Sequence, residues 1–292
     1  MSKENNLFRP AEYFKPTSVD EAVRLLAQYG EKGACIAGGT DLLVEKNPQV
    51  EALIDIADLG LNYIKSDGQV LRIGATTTFA EIEASPILSN GPYNIVARAA
   101  HEVGTPQIRN RATIGGNICS AVPSADSAPV LLVLDATLNI TGPTGERATD
   151  IAGFFQDVRK NALDKGELLT EIQLPSLPTR TGTAFIKKGR VAAADLAMVN
   201  VAVRLTTAAD NTCQDVRIAL GAVAPTPLRA KEAEAMLSGE KPREELLRQV
   251  AACASEEIRP ISDVRSSAEY RTILSRILVE QALREAVARL DT

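Results

Sequence analysis

Aromatic side chains and histidine are scarce in this chain of 292 residues. Tryptophan is absent, aromatic residues make up 4% of the composition, and His101 is the single histidine. So few aromatic rings do not supply the stacking surfaces on which proteins bind single-stranded nucleic acids. One histidine also excludes a metal site with several histidine ligands and a histidine-based catalytic triad. We expect His101 to be a surface residue on an amphipathic helix.

Clustered cysteines are missing as well. Cys35, Cys119, Cys213 and Cys253 are far apart in the sequence, so none of them has the spacing of a zinc site or an iron–sulfur cluster. A disulfide framework is not expected in a chain of this length. The sequence therefore predicts four buried or half-buried thiols and no bound metal.

Basic stretches and long apolar runs are absent too. The net charge is −5 and the isoelectric point is about 5.2, which excludes the usual nucleic-acid-binding classes. The richest apolar run, Val130 to Leu134, stops at Asp135, far short of the roughly 18 to 20 residues that span a membrane. The residues from Met1 to Asn6 lack the apolar segment of a signal peptide. We expect no membrane span and a cytoplasmic location.

The length exceeds that of a usual single core and predicts two domains, with a boundary between Pro175 and Pro178. Ser18–Glu21 and Thr78–Glu81 are capping boxes that begin helices, and Ser66–Gln69 is a hairpin turn. The first ~60 residues read as a small α/β unit with parallel strands. After the boundary we predict antiparallel strands at Ala184 to Lys187, Met198 to Leu205 and Val216 to Val223, then helices at Ala230 to Leu237, Arg243 to Ile258 and Ser267 to Leu290.

Two pairs of adjacent glycines are the most informative features of the sequence. Each pair follows apolar residues and is flanked by small polar ones, in Ile36–Asp41 and in Thr113–Asn117. Glycine permits positive φ and a close ligand, and such a turn can aim several N–H groups at one anion. Each pair alone is equally well explained as a tight turn after a buried strand. Together they indicate two loops that close on a diphosphate such as that of FAD.

The common dinucleotide and nucleophile motifs are not found. The sequence contains no G-x-G-x-x-G, no phosphate-binding G-x-x-x-x-G-K-[ST] and no G-x-S-x-G. A bound dinucleotide would therefore lie in another kind of fold.

The two glycine segments and their surroundings resemble the FAD-binding (medium) subunit of molybdenum hydroxylases, the family that includes bacterial xanthine and carbon monoxide dehydrogenases. The similarity runs from about Phe8 to the C-terminus and consists of several motifs in order. These motifs are Ala37–Asp41, Pro106–Ala112, Thr113–Asn117, Pro123–Pro129, Gly166–Ile172, and Phe185–Lys187 with Asp195–Ala197.

The resemblance implies an α+β chain with two domains. Residues 1–176 would form a two-lobed vanillyl-alcohol-oxidase (PCMH)-type FAD-binding domain, with lobe one at about 1–57 and lobe two at about 58–176. Residues 177–292 would form a C-terminal domain of antiparallel sheet plus helices. Some members of the family carry a cysteine-rich cluster loop after the second glycine motif. Here Cys119 stands alone, so no iron–sulfur cluster is expected in this chain.

The resemblance also implies residues that bind FAD. Backbone N–H groups of the glycine pairs would bind the diphosphate, and nearby polar side chains would bind phosphate and ribityl oxygens. Asp126 would accept from sugar hydroxyls or be the acid of a helix N-terminus, and Lys187 would favour the negative charge of reduced flavin near the ring. Val103 and Leu169 would be apolar neighbours of the flavin, or ordinary core residues. The predicted set is Ile36, Ala37, Gly38, Gly39, Thr40, Asp41, Val103, Thr113, Ile114, Gly115, Gly116, Asn117, Asp126, Leu169 and Lys187, with no catalytic residue.

Three functions follow as alternatives. In the first, the chain is the electron-exit subunit of a dimer of heterotrimers. A large subunit with a molybdopterin cofactor and a small subunit with [2Fe–2S] clusters would deliver electrons, and FAD would pass them to NAD⁺, a quinone or another acceptor. In the second, the chain is a self-sufficient FAD-dependent oxidoreductase with its own substrate. The lack of a His, Tyr or Cys cluster favours the first. In the third, the chain is an adaptor that has lost FAD, which the intact glycine pairs disfavour.

Overall fold

A computed structural model describes residues 8–191 and 194–290 of the chain. Residues 1–7 and 291–292, at the ends of the two predicted domains, lie outside the described residues, and the prediction about the stretch from Met1 to Asn6 lies there too. Three main sheets follow one another along the chain, at residues 12–55, 64–175 and 181–229. In this part of the chain, no helix is both long and apolar enough to cross a membrane.

The first sheet is parallel, as predicted, with its three strands in the order β1-β3-β2. Helix α1 begins after Ser18, whose hydroxyl oxygen accepts from the N–H of Glu21, and it buries Ala22 and Leu26. The predicted capping box is only half formed, because the Glu21 carboxylate accepts from Thr17 instead. The elements are β1 Glu12–Phe14, α1 Val19–Tyr29, β2 Gly33–Ile36, α2 Leu42–Glu45 and β3 Ala52–Asp55.

The second sheet is antiparallel, with the strand order β4-β5-β10-β6-β7. The predicted hairpin at Asp67-Gly68 joins β4 to β5, and the full capping box at Thr78 begins α3. Four of the five helices between β5 and β6 contribute buried residues to one hydrophobic core with this sheet. The elements are β4 Ile64–Ser66, β5 Val70–Gly74, α3 Phe79–Glu83, α4 Asn94–His101, α5 Pro106–Arg109, α6 Ile114–Cys119, α7 Ser127–Val133, β6 Thr137–Gly142, β7 Gly145–Asp150, β8 Phe155–Asp157, β9 Lys160–Asn161 and β10 Leu168–Pro175.

The third sheet is the predicted antiparallel one, in the order β11-β12-β13-β14, and its helices cover it. The spacing of residues in the last helix predicts one apolar face that includes Ile273, Ile277 and Leu278. This prediction is partly wrong, because Ile273 and Ile277 are 51% and 43% exposed. The buried stripe instead includes Arg271, whose guanidinium donates to the carbonyl oxygens of Met198 and Ala222. The elements are β11 Thr181–Lys188, β12 Val199–Thr207, β13 Cys213–Gly221, β14 Leu228–Arg229, α8 Lys231–Leu237, α9 Glu244–Ala254 and α10 Ala268–Ala288.

The second and third sheets share one core. Phe185, Ala202 and Ala219, from the third sheet, belong to the hydrophobic cluster of the second. An ion pair of 2.7 Å between Arg204 and Asp135 also joins the two parts of the chain. We propose the domain division at residues 176 and 177, since the second sheet ends at Pro175 and the third begins after it.

His101 and the four cysteines lie as expected. His101 is the exposed last residue of α4, and its Nδ1 lies 2.7 Å from a carboxylate oxygen of Glu83. All four cysteines are free thiols, with Cys213 buried and the other three half-buried.

Candidate functional site

A cavity of about 440 Å³ opens between the first sheet, the second sheet and strand β11. This volume falls within the range of small-molecule binding sites. Segments that are far apart in the sequence, including both glycine pairs, line the cavity together. The predicted residues that line it are Ala37, Gly38, Gly39, Thr40, Asp41, Val103, Thr113, Gly115, Gly116, Asn117, Asp126, Leu169 and Lys187.

Two of the predicted residues are not brought to the cavity. Ile36 is the last residue of β2, and Ile114 is fully buried in the core of the second sheet. Their side chains complete the packing behind the glycine pairs. They were included in the prediction because they adjoin the glycines in sequence, and sequence adjacency does not decide which side of a segment faces a cavity.

The first glycine pair connects β2 to α2 by a loop with unused donors. Gly39 has φ of +72°, which favours glycine. A Cβ on Gly38 would overlap the carbonyl oxygen of Arg111, so this glycine allows the two glycine segments to approach each other. Within the described residues, the N–H groups of Gly38, Gly39, Thr40 and Asp41 donate to no protein acceptor. Several free N–H groups in one glycine loop can converge on an anion, so this loop fits an anionic ligand.

The second glycine pair is not a turn, contrary to the sequence prediction. Thr113 is the N-cap of α6, and Gly115 and Gly116 lie in the first turn of that helix. The N–H of Gly115 donates to the carbonyl oxygen of Ala75 at 2.9 Å, and that of Gly116 donates to Thr113 Oγ1 at 3.1 Å. These N–H groups are therefore already bonded, and the expected donor role passes mainly to the first pair.

The glycines of the second pair serve close packing and an open surface instead. A Cβ on Gly115 would lie 2.6 Å from the carbonyl oxygen of Ala75, so α6 packs directly on the end of β5. Gly116 is exposed and lines the cavity, and a Cβ there would closely approach only Thr113 Oγ1, at 2.9 Å. The missing side chain of Gly116 thus leaves space for a ligand.

Hydrogen bonds fix the polar side chains beside the glycine pairs. The hydroxyl of Ser120 donates to Asp41 Oδ2 at 2.7 Å, which joins the end of α6 to the first loop. The hydroxyl of Ser127 donates to Asn117 Oδ1 at 2.6 Å. The two segments therefore form one continuous wall of the cavity.

An ion pair between the two domains forms another part of the lining. Lys187 Nζ, on β11, lies 2.7 Å from Asp126 Oδ2 and donates to the carbonyl oxygen of Glu102 at 2.7 Å. The amide of Asn200, on β12, donates to Asp126 Oδ1 at 2.9 Å. Burial raises the pKa of Asp126 to about 6, although Lys187 and Asn200 both oppose this increase. Each oxygen of Asp126 has a protein donor, and its carboxylate makes no capping hydrogen bond to α7.

Apolar side chains and two thiols form further parts of the lining. Val103 and Leu169 are both buried, as their core interpretation predicted, and both line the cavity. The thiols of Cys35 and Cys119 also line it, and burial raises the pKa of each to about 12. A thiol is nucleophilic as the thiolate, so neither is suited to catalysis at neutral pH. Among the described residues, no group of three or more His, Cys, Asp or Glu side chains is placed to hold a metal ion.

Several lining and supporting residues were missed from the sequence. Ala75, at the end of β5, and Ser120, at the end of α6, reach the cavity only through the fold. Asn200 is far from every glycine motif, and no sequence signal connects it to Asp126. Asp195 and Leu196 belong to a motif of the family resemblance and line the cavity, so that motif was a usable signal.

The residues of the cavity fit FAD. Unpaired N–H groups and a glycine surface suit an anionic diphosphate, and the buried apolar residues suit a ring system. A fixed ammonium group at Lys187 suits a cofactor that gains negative charge when it is reduced.

Comparisons with known proteins agree with this fit. Residues 8–177 match the family model described as the FAD binding domain in molybdopterin dehydrogenase, and residues 184–286 match the CO dehydrogenase flavoprotein C-terminal domain. Over 282 residues, the chain is 35% identical to the carbon monoxide dehydrogenase medium chain of Hydrogenophaga pseudoflava, covering 95% of this chain and 97% of that one. It is 32% identical over 289 residues to the xanthine dehydrogenase FAD-binding subunit of Escherichia coli O157:H7, covering 97% and 98%.

The solved structures include a close match in fold. A carbon monoxide dehydrogenase from Hydrogenophaga pseudoflava, in a form that lacks the Mo-pyranopterin moiety of the molybdenum cofactor, has a chain that superposes with a TM-score of 0.92. The sequence identity is 36%, and the match covers 96% of this chain and 98% of that chain.

Proposed function

Since the chain belongs to the family of FAD-binding subunits of molybdopterin dehydrogenases, we propose that it is the electron-exit subunit of a molybdenum hydroxylase. Its fold is α+β, with a two-lobed vanillyl-alcohol-oxidase (PCMH)-type FAD-binding domain followed by a C-terminal domain of antiparallel sheet and helices. The chain is thus an oxidoreductase flavoprotein subunit. When bound, FAD supplies the chemistry of accepting electrons from a partner and passing them to NAD⁺, a quinone or another acceptor.

The observation that carries this proposal is a cavity whose lining brings together the groups that bind a cofactor. Unpaired N–H groups from the first glycine loop and the ammonium of Lys187 line the same space. The described lining contains no histidine or tyrosine, and its two thiols stay protonated at neutral pH. Of the carboxylates in the lining, Asp126 has both oxygens bonded to protein donors, so it serves as the partner of Lys187 and not as a free base.

Different residues of the chain bind different parts of FAD in this proposal. We assign the N–H groups of Gly38 to Asp41 to the diphosphate, with the side chains of Thr40 and Asn117 beside it. Gly116 leaves room for the cofactor on the surface of α6, while Val103 and Leu169 exclude water from an apolar part of the cavity. Lys187, held by Asp126, supplies a positive charge.

The partners are part of the proposal. We assign substrate oxidation to a large subunit with a molybdopterin cofactor, and electron relay to a small subunit with [2Fe–2S] clusters, in a dimer of heterotrimers. The relatives' names mention carbon monoxide and xanthine, which are chemically unrelated. Their medium chains nevertheless align with nearly the whole of this chain, so substrate choice belongs to another subunit, and we propose no substrate. The cytoplasmic location stays a prediction.

Substrate oxidation with and without partners tests the proposed function. The purified, FAD-loaded chain is mixed anaerobically with an aldehyde, a purine or an N-heteroaromatic compound, and flavin bleaching is followed by absorbance. We expect no bleaching by the chain alone, and bleaching by one of these substrates when the co-purified molybdenum and iron–sulfur subunits are present. The chain alone should still reduce an artificial dye with NADH, if NAD⁺ is its acceptor. Substrate-dependent bleaching without partners would identify a self-sufficient flavoenzyme instead.

A further inference from the structure

The side chain of Asn200 is buried where two domains and the cavity meet. It lies on β12 with no exposed surface, and its Nδ2 donates to Asp126 Oδ1 at 2.9 Å and to the carbonyl oxygen of Ala125 at 3.4 Å. Its Oδ1 has no hydrogen-bond partner within the described residues. A buried, unpaired acceptor costs about 1–3 kcal/mol. Stability alone therefore gives little reason for an asparagine here.

The fold makes space for this amide. Gly221 is the cross-strand partner of Asn200 on β13, and a Cβ at Gly221 would overlap the Oδ1 of Asn200. The amide of Asn200 on β12 therefore occupies the space that is left free because Gly221 on β13 has no side chain. Because Asp126 is acceptor-only when ionised, this amide bonds to it through Nδ2.

We propose that Asn200 is a positioning residue that holds the Asp126 carboxylate, and through it the Lys187 ammonium, at the cavity. Asn200 binds one carboxylate oxygen and Lys187 binds the other, so the amide fixes the orientation in which the ion pair forms. The ammonium also donates to the carbonyl oxygen of Glu102, which leaves one of its three N–H groups for a ligand. The link to FAD rests on the proposed function, whereas the link from Asn200 to Asp126 does not.

The charged groups nearest Asp126 in the cavity lining and its surroundings come from three segments of the chain. Lys187 on β11 is its cationic partner, and Glu102, which follows α4, adds a weaker unfavourable negative charge. Asp195, which precedes β12, also lines the cavity and accepts from the N–H of Arg190. Among these groups, Lys187 and Asn200 are the two that hydrogen-bond to Asp126, so loss of the Asn200 amide leaves a buried carboxylate with a single partner.

The titration of Asp126 in the FAD-free, full-length chain tests the coupling. Aspartate labelled with ¹³C at the carboxyl carbon is incorporated, and Asp126→Asn assigns the signal. In Asn200→Leu, we expect the proton affinity of Asp126 to rise about tenfold, which is the free-energy equivalent of one hydrogen bond to a charged group. Asn200→Ala should give the same direction of change if the leucine variant fails to fold. An unchanged titration midpoint would overturn the proposal.

A matched control separates this effect from the general loss of an amide. Asn139, on β6, also donates its Nδ2 to a carboxylate, Glu171 Oε1 at 2.9 Å, but does not line the cavity. Asn139→Leu should leave the Asp126 midpoint unchanged. If it shifts the Asp126 signal as far as Asn200→Leu does, the effect is not specific to Asn200 and the proposal is wrong.

The reduction potential of bound FAD gives the second readout. Protonation of Asp126 removes the negative charge beside Lys187, so Asn200→Leu and Asp126→Asn should both make the potential at pH 7 more positive. A merely structural role of Asn200 would lower the melting temperature without moving the potential. A colourless wild-type chain would reject the proposed function, whereas an unchanged potential in a yellow Asn200→Leu chain would reject only the positioning role.

Discussion

Each of the four glycines in the two pairs is required for a different physical reason. Gly39 has positive φ, and Gly38 allows close approach of the Arg111 backbone. Gly115 allows α6 to pack on Ala75, whereas Gly116 leaves open surface in the cavity. Substitution of the first three should therefore disturb the fold and the cavity together. Gly116 is the position at which binding can be separated from folding.

The substitution Gly116→Val should abolish FAD binding while the chain remains folded. Its side chain would fill cavity space and press on Thr113 Oγ1, at a stability cost of about 1 kcal/mol for a weakened cap. Gly153→Val is the matched control, because a Cβ at Gly153 meets no atom within 4 Å and Gly153 does not line the cavity. Flavin absorbance and urea unfolding measure the two properties. Normal FAD content in Gly116→Val would show that this surface does not hold the cofactor.

Asp126 should make stability depend on pH in a defined window. Its pKa is about 6 in the folded chain, against 3.8 ordinarily, so the folded chain takes up this proton more readily than the unfolded chain. Asp126 therefore contributes at most about 3 kcal/mol to the free energy of unfolding. This contribution is present below pH ~4 and is lost as the pH rises through about 6. Urea unfolding of the FAD-free chain between these pH values should show this slope, and Asp126→Asn should lack it. Equal slopes would contradict the interpretation.

At the scale of elements, the cavity is assembled by short connections and not by the long helices. The loop from β2 to α2 and the first turn of α6 meet because Gly38 passes close to the Arg111 backbone. Thr113 begins α6 at this point, and Thr78 pairs with it across a single bridge. A change at the N-cap of α6 should therefore affect the cavity as well as the helix.

Thr113→Ala should weaken FAD binding and lower stability by about 1 kcal/mol, because it removes the cap of α6 and a lining hydroxyl. Thr105→Ala provides the control. Thr105 caps α5 in the same way, accepting from the N–H of Ile108 at 3.3 Å, but does not line the cavity. Both variants should lose similar stability in urea unfolding, and only Thr113→Ala should lose FAD affinity by fluorescence titration. Equal FAD affinity in the two would argue against a binding role for Thr113.

The elements were largely predictable because their signals are local. Hairpin chemistry at Asp67-Gly68, and after Pro178 the spacing of the strands with a polar turn at Asp210-Asn211, indicated the antiparallel pairs that form. The errors arose where a side chain bonds to a partner other than the expected one. The Glu21 carboxylate accepts from Thr17 in place of the Ser18 N–H, and Arg271 lies on the buried side of the last helix with its guanidinium bonded to the carbonyl oxygens of Met198 and Ala222.

The sequence predicted which residues meet at the site better than it predicted the hydrogen bonds that they make. The glycine pairs and Lys187 come together at one cavity, which the family resemblance implied. The sequence did not show that Gly115 loses its expected donor role, because its N–H donates to Ala75, which follows strand β5 about 40 residues earlier in the chain. Asn200 was missed for the same reason, since only the pairing of β12 with its neighbours places it beside Asp126.

At the scale of the whole molecule, the two domains share both a core and the cavity. Phe185, Ala202 and Ala219 complete the core of the FAD-binding domain, and α7 packs against β12 and β13. Lys187 and Asp126 join the domains at the cavity itself. The domains should therefore fold as one unit, although the sequence divides into two.

Calorimetry should detect this coupling as a single unfolding transition of the full chain. FAD should shift the whole transition upward, because a ligand stabilises every part that unfolds together. The substitution Phe185→Ala, in the third sheet, should lower the free energy of unfolding by about 3–5 kcal/mol, as large core truncations do. The single transition should then occur at a lower temperature. Two separate transitions, with FAD affecting only one of them, would contradict the shared core.

The flavin content of the purified, full-length chain tests the central claim most directly. The chain is denatured in acid, and the released flavin is identified and quantified against the protein concentration. The structure predicts one FAD per chain, all of it released because it is held without a covalent bond. A folded but colourless chain that takes up no added FAD would contradict the account.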